Sequence, residues 1–123
     1  MIEIENLAAG ADITARACYV CTAPNGEVIT AAQFVTKGTP AGVDDSNTAV
    51  LTIKDASDNI VLTKTWNTAN QPPDTTSEEL TSCLDEDYTT LAKGDVLYLT
   101  LTCGATANMP ACLLSLATEY LTP

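Results

Sequence analysis

The chain has 123 residues, with 5 basic and 16 acidic side chains and no histidine, for a formal charge of −11 at pH 7. That is the length of one domain, apolar enough to bury roughly two-thirds of its unfolded surface, which excludes a disordered acidic tail. Five scattered cations, Arg16, Lys37, Lys54, Lys64 and Lys93, make no basic stripe for nucleic acid or anionic lipid; without histidine there is no Ser/His or Cys/His nucleophile pair and no imidazole ligand.

The start, Met1-Ile-Glu-Ile-Glu5, lacks the cationic and long apolar regions of an export signal. Apolar runs are interrupted by threonine, so no membrane span is expected and the chain is read as made in the cytoplasm. Ile2, Ile4 and Leu7, separated by polar residues, predict a short edge strand or an arm over residues 1–11 that contacts another subunit or a larger shell; residues 12–123 then form one domain. Asp12 to Ala23 and Glu27 to Val35 flank Asn25-Gly26, a hairpin signal. Alanines on both strands leave its register open, and with it the facing of Tyr19 and Phe34. The stretches 36–47 and 67–87 are weakly patterned, and Ser77 to Cys83 can close one helical turn with Ser77 as its cap.

The period-two runs Val50-Leu-Thr-Ile-Lys54 and Leu97-Tyr-Leu-Thr-Leu-Thr102 read as half-buried strands. A loop at Asp55-Ala-Ser-Asp58 sets Ile53 against Ile60 and Leu51 against Leu62, with Thr52 and Val61 on the other face. Trp66 shares parity with Leu62 and is expected in the core. Near the C-terminus, pairing Leu101 with Leu114 and Leu99 with Leu116 stacks leucines and puts Cys103 across from Cys112, a geometry that permits a cross-strand disulfide. The fold expected is all-β: an antiparallel, jelly-roll-like sandwich with turns at regular spacing and no long helix.

Cys18, Cys21, Cys83, Cys103 and Cys112 are odd in number, which speaks against a secreted disulfide framework and for small buried thiols. Cys18 and Cys21 are three apart in a strand-like run, so they point to opposite faces and do not converge on a zinc ion. The acidic groups Asp44-Asp45, Glu78-Glu79 and Asp85-Glu-Asp87 are the only residues that resemble a carboxylate catalyst or a calcium site. They lack the aromatic platforms of the first and the twelve-residue loop of the second. No catalytic, cofactor-binding or metal-ligating residue is assigned.

The stretch Leu84 to Thr102, ending in a strand after Lys93-Gly-Asp95, and the loop Lys37-Gly-Thr-Pro-Ala-Gly-Val-Asp44 before a Thr/Val-rich hairpin, resemble small β-sandwich structural proteins of tailed-bacteriophage heads. The resemblance spans residues 36–121. It implies a non-enzymatic decoration, or cement, protein on the exterior of the virion capsid, which binds the major capsid protein, braces capsomer contacts and assembles as a homo-oligomer, often a trimer. Five cysteines depart from that pattern; oxidation of some after lysis would rigidify a finished particle. The alternative is a sugar- or receptor-binding module of a fibre or lectin, which requires exposed aromatic rings around a groove.

Overall fold

Alternating threonine and aliphatic residues form strands along the whole chain, and the computed structural model describes all 123 residues. Nine strands appear: β1 (Ile2–Ile4), β2 (Ile13–Val20), β3 (Glu27–Thr36), β4 (Ala49–Lys54), β5 (Ile60–Trp66), β6 (Ser77–Glu79), β7 (Thr90–Leu91), β8 (Val96–Cys103) and β9 (Cys112–Tyr120). The only helical pieces are 3-10 turns at Thr81–Cys83 and Glu86–Tyr88. All pairing is antiparallel, in two sheets: β1-β9-β3-β6 with β7 also on β3, and β2-β8-β4-β5. The pairs nest, β1 with β9, β2 with β8, β3 with β6 and β7, β4 with β5, and fall alternately into the two sheets. That is the winding of a jelly roll, as expected.

This winding overturns two of the expected hairpins. β2 and β3 lie in different sheets, because Pro24 and Asn25 occupy the centre of the turn and Gly26 closes it, its N–H donating to the Ala23 carbonyl at 3.0 Å. Asn25-Gly26 is therefore not a two-residue hairpin loop, and the turn carries the chain across the sandwich. β8 and β9 are likewise in different sheets. Leu99 and Leu101 pair with Ile53 and Leu51 of β4, while Leu114 pairs with Phe34 of β3 and Leu116 with Ala32. The leucine rows meet as opposite walls of one core, not as neighbours in one sheet.

The β4–β5 hairpin exists with its register slid by two residues: Ile53 faces Leu62 and Leu51 faces Lys64. The loop is wider than expected, because the Asp55 carboxylate accepts hydrogen bonds from the N–H groups of Ser57 and Asn59, both at 2.9 Å, and Asp58 takes a left-handed φ of 69°. A slide of two preserves parity, so Leu51 and Ile53 still point inward; Ile60 is left 43% exposed. Val61, expected on the mixed outer face, is buried under the segment 80–88, where Asp85 donates its N–H to the Val61 carbonyl at 2.9 Å. Ser77 caps no helix: it belongs to β6, and the helical turn begins four residues later.

Trp66 is fully buried, as expected, with its ring centroid 4.8 Å from that of Phe34. Its Nε1–H donates to Glu78 Oε1 at 3.0 Å, and Lys64 Nζ lies 3.2 Å from Glu78 Oε2. Glu78 of one sheet thereby closes the flank against β5 of the other.

Candidate surface site: the open flank

The opposite flank is where the sheets end in β1 and β2, and it holds a cavity of about 490 Å³. Ile2, Ile4 and Leu7 are buried in the chain's own core. Of the two forms expected for this segment, an edge strand or an arm for another subunit, it takes the first: it is an edge strand of this sandwich, continuous with residues 12–123. Arg16 straps it down, donating from Nη1 to Glu5 Oε2 at 2.9 Å and from Nη2 to the Glu3 carbonyl at 3.1 Å. Lys37, which lines the same cavity, has no carboxylate partner.

β1 covers β9 only from Cys112 to Leu114. From Ser115 to Tyr120 the outer edge of β9 pairs with nothing, and β2, the facing edge of the other sheet, is irregular: Ala15 has φ 43° and the pairing shifts twice. Val20 and Tyr120 are 50% and 71% exposed along this flank.

Within the flank, Tyr19 reaches from β2 to donate its hydroxyl to Glu27, a carboxylate 2% exposed at the start of β3. No cation is paired with Glu27; the phenol hydrogen bond is what satisfies it. Burial pushes the Tyr19 hydroxyl up to about 12, and the hydrogen bond and charge of Glu27 act in the same direction.

Burial also raises four of the five thiols: Cys18 to about 11 against the pull of Arg16, Cys112 to about 12 with help from Cys103, and Cys21 and Cys103 upward. Thiols held protonated are weak nucleophiles and ligands at neutral pH. All five are free. Cys103 and Cys112 belong to opposite sheets, so the expected cross-strand pair is corrected to two buried thiols facing across the core, Cys112 donating to the Pro110 carbonyl at 2.8 Å.

These shifts set an alkaline limit. The folded chain holds protons on Cys18, Cys112 and Tyr19 above their ordinary values of 9.0 and 10.0, whereas the unfolded chain releases them first as pH rises. Stability from these groups is complete below about pH 9 and is lost on the way to about pH 12. The urea midpoint should be flat from about pH 7 to 8.5 and clearly lower at about pH 10.5; a constant midpoint throughout would show that these groups titrate normally.

The acidic groups turn inward on the backbone. Asp44 Oδ1 accepts from the N–H groups of Ser46 and Asn47 at 2.9 and 2.8 Å, Asp45 exchanges hydrogen bonds with Thr68, and Asp85 accepts from the Asp87 N–H at 3.0 Å. Glu79 bonds Gln33 and Thr81. Each therefore serves a turn or a cross-strand contact, and no three of them converge with a cysteine or each other as a metal cluster would. Cys18 and Cys21 do not converge either: their thiols point to the Leu97 and Leu91 carbonyls. No helix is long and apolar enough to cross a membrane.

What fold and flank define is a jelly-roll domain with one sealed side and one open side; Met1, Val20, Tyr120 and Leu121 are exposed at the open side, and Ile60 and Tyr88 are exposed elsewhere. No family model, curated protein or solved structure matches the chain.

Proposed function

We propose that this is a structural protein of a virion, bound to the outer surface of a phage capsid, where it contacts the major capsid protein and stabilises capsomer junctions as a homo-oligomer. The observation that supports the reading best is the open flank. A jelly roll whose loop carboxylates Asp44, Asp45 and Asp85 serve its own turns, and which leaves a strand edge and apolar side chains uncovered on one side, is suited to being held against another protein surface. The high negative charge suits a soluble component of a crowded particle surface.

A sugar-binding module needs rings around a groove. Trp66 is in the core, Tyr88 and Tyr120 line no cavity, and Tyr98 and Tyr19 each line a separate shallow groove as its single ring, so no two rings face one another across a groove; the second large groove, about 500 Å³, is lined by Thr, Ser and aliphatic residues with Glu86. The test is the copy number in purified particles from the source, by quantitative mass spectrometry against the most abundant shell protein. A ratio of order one, or a simple lattice fraction of it, is expected. A handful of copies would assign the chain to a fibre or receptor module, and absence from particles would overturn both viral readings.

A further inference from the structure

We infer that the uncovered edge of β9 is a self-pairing site, on which a second copy of this chain adds its own β9 antiparallel about a two-fold axis at Thr118. The free edge runs from Ser115, just past the reach of β1, to the end of the strand at Tyr120. A two-fold axis normal to the sheet keeps both inner faces on one side, so it pairs residues of equal parity. Centring it on Ala117 would lay Tyr120 of one copy over Leu114, where Ile2 already sits. Centring it on Glu119 would put two carboxylates directly opposite, which is destabilising. Thr118 is the remaining choice, and it uses five free residues without displacing β1.

That register is chemically self-complementary. The Thr118 backbones meet, each side chain being turned in to Tyr19 of its own chain, Leu116 meets Tyr120, and Glu119, the one charge on the free edge, meets Ala117. Leu116, half-buried against the core, would gain the cover that β1 gives Leu114 one turn of the pleat earlier. The other strand edges are less suited: β6 carries Glu78 and Glu79, β1 carries Glu3, β2 is bulged, and β5 is already bridged by the segment 84–85 at Val61 and Leu62. Five paired residues fall well short of the ~800 Å² per partner of a standard interface. Tyr120, Leu121 and Met1, exposed at 71%, 38% and 77%, stand at the ends of the window and add apolar area, which makes a weak dimer in the micromolar range. Because each copy carries −11, the dimer should tighten as salt screens the repulsion.

The test uses purified full-length protein and does not depend on the capsid reading, so its failure would leave that reading standing. Sedimentation equilibrium should show a monomer–dimer exchange that strengthens from about 50 to 500 mM salt. Ala117→Glu, at an exposed position that the fold tolerates, should weaken the dimer about tenfold or more, and Ala117→Lys, facing Glu119, should hold or tighten it. With diamide as the oxidant, Thr118→Cys should give a disulfide-linked dimer faster than the off-axis control Glu119→Cys. A monomer at all concentrations up to about 1 mM, an equal response to both Ala117 variants, or equal cross-linking of the two cysteine variants would overturn the proposal.

Discussion

Replacing Trp66 by alanine should remove about 3–5 kcal/mol of stability, a large share of the roughly 6–18 kcal/mol that a domain of this length commands. The ring is fully buried between the sheets, it packs on Phe34, and its N–H is one of two donors to Glu78. Truncation leaves a cavity at the junction of β3 and β5, and it leaves Glu78 held by Lys64 alone. Trp66→Phe separates the two effects. It keeps an aromatic ring against Phe34 and removes only the donor, so its cost should be nearer 1–3 kcal/mol. Urea unfolding followed by far-UV circular dichroism reads both, because the chain's single tryptophan is the residue replaced. An alanine variant that loses less than about 1 kcal/mol would mean that the sealed flank is not packed as described.

Trp66 was legible because its parity is fixed by a strand with strong alternation. The same rule gave the inward facing of Leu51, Ile53, Leu99 and Leu101. Registers were less legible, since they depend on loops. One carboxylate, Asp55, decides the width of the β4–β5 loop, and Thr52 of β4 can face Thr63 or Thr65 of β5, so a slide of two meets little penalty. β3 shows the limit most plainly. Its inward residues are Glu27 and Ile29 before Thr30, then Ala32, Phe34 and Thr36 after it, because a bulge between Ile29 and Ala31 switches parity in mid-strand. No periodic template follows such a switch, which is why the alanines there gave no face for Phe34.

The hairpins at either end of the chain failed for a topological reason. In a jelly roll most consecutive strands lie in opposite sheets, so a tight turn between two alternating runs marks a crossing as readily as a hairpin. The turn chemistry at Pro24-Asn-Gly26 and the leucine rows at 97–101 and 114–116 were read correctly as local features. Only their partners lay elsewhere in sequence. The open flank was half legible: the spacing of Ile2, Ile4 and Leu7 indicates an edge strand or an arm, but their place in the chain's own core follows from β9 being one residue row too exposed without them. Nothing in the sequence separates an edge strand folded back on its own domain from one laid on a neighbour, since both bury the same three side chains. Asp44, Asp45 and Asp85 were legible as loop charge, and the structure adds the N–H groups they accept from, whereas Glu78 and Glu79 belong to β6, where Glu78 ties Trp66 and Lys64.

A second large effect is expected at Gly42, in the loop between β3 and β4. Its φ is +71°, and a Cβ there would lie 1.9 Å from the Thr106 carbonyl oxygen and 2.8 Å from its carbon. The approach is enforced from both sides: Ala41 and Asn108 exchange backbone hydrogen bonds at 3.1 and 2.8 Å, and the Thr106 hydroxyl donates to the Gly42 carbonyl at 2.7 Å. Gly42→Ala must therefore meet two costs, about 1–2 kcal/mol for a left-handed alanine and about 1–3 kcal/mol for forcing backbone apart in a packed contact. Gly94 is the control, with φ +91° and nothing within 4 Å of an added Cβ. Gly94→Ala should show the conformational cost alone, so urea midpoints of the two variants should differ by the contact cost. Cleavage by a nonspecific protease should also increase within residues 36–47 for Gly42→Ala and not for Gly94→Ala, because only the first releases that loop from residues 104–109. Equal losses for the two variants would show that the loop does not rest on Thr106 in solution, and with that the end of the sandwich beside β1 would lose the support that holds Leu7 against Met109.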